Sequence, residues 1–263
     1  MRPLLTIALV LFTHTAIAFD HGDWDTLLKK HVHWVRGGVA SQVDYQGMAA
    51  DRPRLDRYLD DLSTVSERQF QDFDRNQQLA FLINAYNAFT VQLILDQLPR
   101  PSSIRDIGGL FSGPWDQRFF ELLGAPRTLD EVEHDLIRDN PDLMDPRIHF
   151  AVNCASIGCP ALRPEAYTAE RLNRQLEDST HRFLSDRSRN HFDQQRGRLL
   201  VSSIFKWYRD DFADAAGSLG AWLADYSGPL GLTANDAGLL RAHRLDIRFL
   251  PYDWSLNGLP TDQ

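Results

Sequence analysis

The order of hydrophobic and polar positions divides the chain into a helical first half and a mixed second half. Apolar residues recur at the spacing of amphipathic helices in segments 24–35, 55–62, 69–73 and 76–98. The last segment is the longest helix that we predict, because Asp74 and Gln77 form a capping-box pattern before it and Pro99 follows it. A short extended piece is predicted at 42–45, after two consecutive glycines.

The second half mixes helical and extended patterns. Thr128 and Glu131 form another capping-box pattern, and the helix that they begin is predicted to end near Asp139. Apolar and polar residues alternate over 147–152, which predicts a strand. Further strands are predicted at 198–201 and 246–250, and further helices at 168–186, 204–212, 219–226 and 234–242. The pattern predicts an α+β fold, with a helix-rich N-terminal half packed on a small β-sheet.

The first residues have the form of an export signal. Arg2 precedes a short apolar run, and Ala16-Ile17-Ala18 gives the small-x-small pattern of a cleavage site. We predict a signal peptide over residues 1–18 and a mature chain that begins near Phe19 in the periplasm, or outside the cell if the source is not Gram-negative. We expect neither a lipid anchor nor a later membrane span. Residues 19–263 contain no linker or repeat, which predicts one globular domain.

The net charge and the missing motifs exclude several kinds of ligand and partner. The formal net charge is −8, which argues against binding to nucleic acid or to anionic lipid. The sequence has no phosphate loop, dinucleotide fingerprint or G-x-S-x-G motif, and His31 with His33 lacks a third metal ligand. We therefore expect no cofactor and no metal. The expected partner is a small-molecule, peptide or glycan substrate in the cell envelope.

One predicted helix carries ionisable residues on or beside its apolar stripe. Glu133 lies within the stripe, four residues after Leu129 and four before Ile137, and His134 lies at its margin. A buried carboxyl group needs a partner or a purpose. Glu133 is therefore either one half of a structural ion pair or, together with His134, a part of a functional site.

The longest predicted helix carries two amides among apolar residues, Asn84 and Asn87. A buried amide usually braces a neighbouring loop through hydrogen bonds. It can also orient a catalytic imidazole or stabilise an oxyanion, so both residues are site candidates.

Cys154 follows the predicted strand at the start of a Gly- and Pro-containing loop, and Cys159 is the other cysteine of the chain. A thiol at such a junction becomes a nucleophile if a base lowers its pKa. In an exported protein, the two cysteines could instead form a disulfide. His149 would lie about 16 Å from Cys154 along a strand and on the opposite face. This favours His134 as the general base.

The third member of such a site is left open by the sequence. Neighbouring helical residues point about 100° apart, which argues against Glu133 as the group that orients His134. Asn84, Asn87 and Asp253 are the remaining candidates.

Five segments, in this order, resemble the signature segments of the domain-of-unknown-function family numbered 547. They are 82–88, 132–138, 148–160, 204–212 and 252–257. The activity of that family is unassigned. The resemblance implies that Glu133, His134, His149 and Cys154 occupy characteristic positions. It also suggests a distant likeness to papain-like and transglutaminase-like folds with rearranged element order, since His134 precedes Cys154.

Two functional hypotheses follow from these observations. In the first, the protein is a cysteine-dependent hydrolase or acyl transferase with Cys154 as nucleophile and His134 as base. In the alternative, it is a non-catalytic cell-envelope binding module with a structural Cys154–Cys159 disulfide. The alternative predicts a concave aromatic patch that includes Trp207 or Trp254. A thiol-redox role is a third reading, which C-x4-C spacing serves less well than C-x-x-C.

Overall fold

The computed structural model describes residues 18–99, 101–108 and 113–260. The predicted signal peptide lies outside these residues apart from Ala18. The α-helices of the described residues are α1 (Gly22–His31), α2 (Tyr45–Ala50), α3 (Arg52–Thr64), α4 (Glu67–Gln71), α5 (Arg75–Leu95), α6 (Leu172–Ser185), α7 (Ile204–Trp207), α8 (Arg209–Ala216), α9 (Leu219–Asp225), α10 (Ser227–Leu230) and α11 (Ala234–Arg241). A π-helix spans Glu131–Arg138, and 3-10 turns span Arg36–Gly38, Ile104–Asp106 and Pro146–Phe150.

The strands form three small sheets. They are β1 (Val32–Val35), β2 (Ala40–Val43), β3 (Phe120–Leu122), β4 (Ala125–Arg127), β5 (His191–Asp193), β6 (Arg198–Ser202) and β7 (Asp246–Leu250). The first two sheets are the antiparallel pairs β1–β2 and β3–β4, and in the third β6 pairs antiparallel with β5 and parallel with β7. Helices with small separate sheets confirm the α+β class.

Helix α5 lies at the centre of the larger hydrophobic cluster. Its capping box is confirmed, since the Gln77 amide donates to Asp74 Oδ1 at 2.9 Å and the Asp74 amide donates to Gln77 Oε1 at 2.8 Å. Contrary to our expectation, α5 is long and apolar enough to cross a membrane by length and composition. However, 89% of its most apolar window is buried inside the fold. A helix that is apolar all round is therefore the core helix here.

The predicted helix over 24–35 is shorter than the pattern suggested. Helix α1 ends at His31, and Val32–Val35 pairs with Ala40–Val43 across a turn that contains Gly37 and Gly38. Both glycines have positive φ, at 69° and 87°, which a residue with a side chain rarely adopts. The glycine turn allows the chain to fold back, so the segment after His31 forms a hairpin.

The predicted strand at 147–152 is wrong, because the chain forms a 3-10 turn over Pro146–Phe150. Asp145 caps this turn by accepting a hydrogen bond from the Arg147 amide at 3.0 Å. Ile148, His149 and Phe150 are all buried, so the apolar-polar alternation did not mark two faces of a strand. The distance and facing that we inferred for His149 relative to Cys154 therefore do not apply.

A second hydrophobic cluster is built by the C-terminal third around the rings of Phe150, Phe183, Phe205, Phe212 and Trp222. Ring centroids in this cluster lie between 4.6 Å and 6.4 Å apart. Residues from the edges of both clusters meet in one pocket, because Val152 belongs to the first cluster and Ile204 to the second. The border between the two clusters thus positions the candidate site.

Candidate functional site

The pocket at this border has a cavity volume of about 210 Å³. It brings together four residues that the sequence singled out: Glu133, His134, His149 and Cys154. The remaining lining residues are Tyr86, Trp115, Asp130, Val152, Cys159, Pro160, Ile204, Trp207, Tyr208, Tyr252 and Trp254. A small apolar cavity with a few convergent polar groups is the usual form of a ligand site.

The π-helix supplies a buried carboxyl group, that of Glu133, to the lining of this pocket. Thr128 and Glu131 form the reciprocal hydrogen bonds that the sequence predicted, each at 3.0 Å. Glu133 is only 5% exposed and accepts a hydrogen bond from the Tyr208 hydroxyl at 2.7 Å. Burial, and after it the charge of Glu133, raises the pKa of Tyr208 and of Tyr86. Both phenols are therefore protonated donors at neutral pH.

His134 lies one residue further along the π-helix and contacts Arg138. Its Nδ1 atom is 2.7 Å from a terminal guanidinium nitrogen of Arg138. Arginine only donates hydrogen bonds, so His134 Nδ1 accepts and the proton of the neutral ring is on Nε2. The lone pair that a general base needs is thus occupied. This arrangement does not favour our expectation that His134 is the base.

In His149, unlike His134, the Nδ1 atom is the one without a hydrogen-bond partner among the described residues. The Nε2 atom of the same ring lies 2.7 Å from Asp211 Oδ2, and the Nδ1 atom is buried. The ring stacks on Tyr208 with centroids 3.8 Å apart. Burial lowers the pKa of His149, although the hydrogen bond that its Nε2–H donates to Asp211 partly opposes this effect. His149 is therefore a neutral imidazole with a free lone pair on Nδ1.

Asp211 joins the two histidines into one network. Burial opposes the ionisation of Asp211, but hydrogen bonds from His149 and Arg138 hold its pKa well below the ordinary value. Arg138 forms a bidentate pair with it, at 2.7 Å and 2.9 Å. The chain of contacts runs from His149 through Asp211 and Arg138 to His134. An ionised carboxylate thus fixes the orientation of the His149 ring.

The two cysteines of the chain form a disulfide, with Cα atoms 6.2 Å apart. This is the second of the two arrangements that the sequence allowed, and it means that Cys154 is not a free thiol here. The Tyr252 hydroxyl lies 3.3 Å from Cys154 Sγ and 3.1 Å from Cys159 Sγ, and the Ser156 hydroxyl is 3.3 Å from Cys154 Sγ. Burial raises the pKa of Tyr252, so its hydroxyl is a protonated donor beside the sulfurs.

The two helix amides brace loops and do not line the pocket. Asn84 bonds to both the amide and the carbonyl of Tyr167, at 3.0 Å and 2.8 Å. Asn87 donates to the Ala151 carbonyl at 3.0 Å and accepts from the Asn153 amide at 2.8 Å. Asn87 therefore fixes the backbone that leads into Cys154, so its role in the site is positioning.

Asp253 is not the group that orients a histidine. Its carboxyl group accepts from the Ser255 amide at 2.9 Å, within its own loop. Asp211 takes the orienting role instead. The sequence placed Asp211 inside the 204–212 segment but gave no reason to single it out. The available signal was its position three residues after Tyr208 and next to the buried Phe212.

Tryptophans form one wall of the pocket. Trp254 contacts Trp207, Tyr252 and Trp115, with ring centroids at 5.7 Å, 4.5 Å and 5.7 Å. Trp207 is 46% exposed. The structure thus places Trp207 and Trp254 in one concave aromatic surface.

Asp130 is a further titratable residue of the lining that sequence reasoning missed. Burial, and after it a hydrogen bond with Asp116, raises the pKa of Asp130 to about 6. Its Oδ1 lies 3.9 Å from His134 Nε2. A carboxyl group with such a pKa exchanges protons near neutral pH. Among the described residues, no group of three or more His, Cys, Asp or Glu side chains is placed to hold a metal ion.

Part of the chain matches a known protein family. Residues 70–184 match a family model described as "Protein of unknown function, DUF547". The matched segment includes α5, the π-helix and both cysteines, whereas Asp211, Trp207 and Trp254 lie outside it. No curated protein and no solved structure matches the chain. The suggested likeness to papain-like folds therefore stays a prediction.

Proposed function

Because residues 70–184 match the model of the DUF547 family, whose function is unknown, we propose a function from the pocket itself. The protein is a cysteine-dependent hydrolase or acyl transferase whose nucleophile, Cys154, becomes available when its disulfide with Cys159 is reduced. The substrate carries an ester or amide bond. As a protein with an export signal, it acts in the periplasm on a component of the cell envelope.

The observation that carries this proposal is the state of His149. A nucleophile-base site needs a base with an open lone pair and a third group that orients the base. His149 Nδ1 has no partner, its Nε2 is bonded to the ionised Asp211, and its ring lines the same pocket as Cys154. In the sequence-based hypothesis His134 was the base, and His149 now replaces it.

The reaction begins with reduction. An external dithiol supplies two electrons and two protons to the Cys154–Cys159 disulfide, which gives two thiols and an oxidised dithiol. Cys154 then transfers its thiol proton to His149 Nδ1 as its sulfur bonds to the acyl carbon. The leaving amine or alcohol takes that proton from the imidazolium ring. Water, or a second acceptor, then attacks the thioester while His149 accepts its proton, and Cys154 is regenerated as a thiol.

The surroundings of the two reacting groups support these steps. The Asp211 carboxylate stabilises the imidazolium form of His149, as the third member of a catalytic triad does. The hydroxyls of Ser156 and Tyr252 lie beside Cys154 Sγ, where they can donate hydrogen bonds to a thiolate. Asn87 holds the backbone before Cys154 in place.

The test uses the Cys159→Ser variant, in which Cys154 is a free thiol without added reductant. In this background, the rate of iodoacetamide labelling is measured against pH by intact mass. We expect His149→Gln to lower the rate near neutral pH at least tenfold, since it removes the base. His134→Gln should change the rate little. His181→Gln is the matched control, because this histidine is exposed and bonded to Glu177 on α6.

Two results would contradict the proposal. One is an equal labelling rate with and without His149, which would mean that the imidazole does not activate the thiol. The other is a thiol that labels no faster than a free cysteine at any pH. A panel of activated esters then tests turnover, with Cys154→Ser as the inactive reference.

The disulfide and the tryptophan wall favour a second candidate function. A protein that keeps the Cys154–Cys159 bond and binds a ligand against Trp207 and Trp254 would be a binding module. Binding of soluble envelope fragments to the oxidised protein, together with a reduced thiol of ordinary reactivity, would support this function over the enzymatic one.

A further inference from the structure

The charges that line the pocket are unbalanced. Asp130 and Glu133 supply two carboxyl groups, and none of the described lining residues is a lysine or an arginine. Arg138 lies behind the lining, and its charge is matched by Asp211 in the bidentate pair. A ligand that enters the pocket therefore meets two carboxyl groups and no lysine or arginine among the described lining residues.

The pocket lining also contains three tryptophans. Trp115, Trp207 and Trp254 carry the electron-rich faces that attract cations. Two guanidinium groups already lie against rings of the lining: Arg105 is 5.3 Å from the Trp254 centroid, and Arg138 is 4.9 Å from that of Tyr208. Neither arginine is part of the lining itself.

An unpartnered atom of His149, in the same pocket lining, also points to a bound ligand. The His149 side chain is fully buried, yet its Nδ1 atom has no donor among the described residues. A buried polar atom without a partner costs free energy, and it is usually satisfied by water or by a bound molecule. A hydroxyl or N–H group on a ligand in this pocket would supply the missing donor.

We propose that the pocket binds a compound with a cationic ammonium group, which contacts the carboxyl groups of Asp130 and Glu133 and lies against the tryptophan wall. A hydrogen-bond donor on the same compound faces His149. This inference names the substrate class of the pocket and rests on the proposal that the pocket is the functional site. It does not depend on the thiol, because the groups that it uses are in place in the oxidised protein.

The experiment compares choline with its uncharged isostere 3,3-dimethylbutan-1-ol. The two probes share a hydroxyl group and a nearly identical shape, so only the charge differs. Binding of each to the oxidised, disulfide-bonded protein is measured by isothermal titration calorimetry. We expect choline to bind at least tenfold more tightly than the isostere, and added sodium chloride to weaken only the binding of choline.

Variants assign the effect to this pocket. Asp130→Asn and Glu133→Gln should each reduce the affinity for choline and leave that for the isostere unchanged. Asp135→Asn is the matched control, since this exposed carboxylate lies on the same π-helix but not in the lining. Trp207→Ala removes a half-exposed side chain, so it should weaken choline binding without unfolding the protein.

Equal affinity for choline and the isostere would overturn the inference, and so would binding of choline that Asp130→Asn and Glu133→Gln leave intact. Absence of binding by either probe would overturn it as well. Binding of N-acetylglucosamine in place of choline would assign the tryptophan wall to a neutral sugar. Because thiol labelling is measured separately in the Cys159→Ser variant, failure of the ammonium inference is distinguishable from failure of the enzymatic proposal.

Discussion

His149 and Asp211 form a hydrogen-bonded pair at 2.7 Å, although they are separated by 62 positions in the chain. One comes from a 3-10 turn that the pattern of apolar residues did not predict, and the other from the first turn of α8. The pair gives the pocket an oriented imidazole. It also makes Asp211 the residue on which both the network and its stability depend.

Asp211→Asn should lower the free energy of unfolding by about 2 kcal/mol at neutral pH. The change leaves the Arg138 guanidinium without its carboxylate, and the loss is smaller than for a fully buried pair because Arg138 is 23% exposed. The folded-state pKa of Asp211 is lowered, so the stabilisation is present above the unfolded pKa of about 4 and is lost below it. Urea unfolding at several pH values measures this.

The exposed neighbour Asp210 provides the control, since Asp210→Asn removes the same charge without touching the network. Similar losses for the two variants would mean that the His149–Asp211–Arg138 network contributes nothing specific.

Asn87 and Asn84 form a matched pair on α5. Each bonds to the backbone of a distant loop twice, so replacement of either by Ala should cost about 2–4 kcal/mol. Only Asn87→Ala should also slow the labelling of Cys154 in the Cys159→Ser background, because only Asn87 holds the loop before that cysteine. If Asn84→Ala slows the labelling of Cys154 to a similar extent, the effect comes from a general loss of stability and not from the loop before Cys154.

The decrease in the free energy of unfolding at acidic pH should depend on two histidines. Burial lowers the pKa of His21 to about 4 and lowers that of His149. The unfolded chain protonates these residues near pH 6.5, before the folded protein does, so the stability that they supply is complete above that pH and is lost as the pH falls. His21→Gln should flatten this decline by up to about 1.4 kcal/mol per pH unit. Urea titrations between about pH 4 and 8 of the two proteins isolate the effect as a difference, and parallel curves would contradict it.

Reduction of the disulfide should leave the protein folded. The cysteines are five positions apart, and a loop this short removes little entropy from the unfolded chain, roughly 2 kcal/mol. Urea unfolding with and without a reductant, with the mass increase of two hydrogens as proof of reduction, measures the difference. Loss of cooperative unfolding upon reduction would mean that the thiol state is not a functional form of this protein.

The sequence predicted best those features that short-range physics determines. The capping boxes at Asp74 and Thr128 marked helix starts, because their hydrogen bonds join residues three positions apart. The strands β6 and β7 followed from their own apolar patterns. Glu133 was recognised as a buried carboxyl group from its place in the apolar stripe, and it is buried.

The features that the sequence missed depend on contacts between distant segments. The partner of Glu133 is Tyr208, 75 positions later. The sequence around Glu133 does not show whether its partner is a tyrosine hydroxyl or the guanidinium group of an arginine. The preference for His134 over His149 rested on a predicted strand, whereas Asp145 and Pro146 start a 3-10 turn. The π winding of Glu131–Arg138 was likewise read as an α-helix, since one stripe of apolar residues fits both.

The placement of the tryptophans has an optical consequence. Three of the six in the chain, Trp115, Trp207 and Trp254, line the pocket that also contains the disulfide. A disulfide accepts an electron from an excited indole nearby and so quenches its emission, whereas thiols quench less. Opening of the Cys154–Cys159 bond should therefore brighten the intrinsic emission, and the protein carries an unlabelled indicator of the redox state of its own pocket.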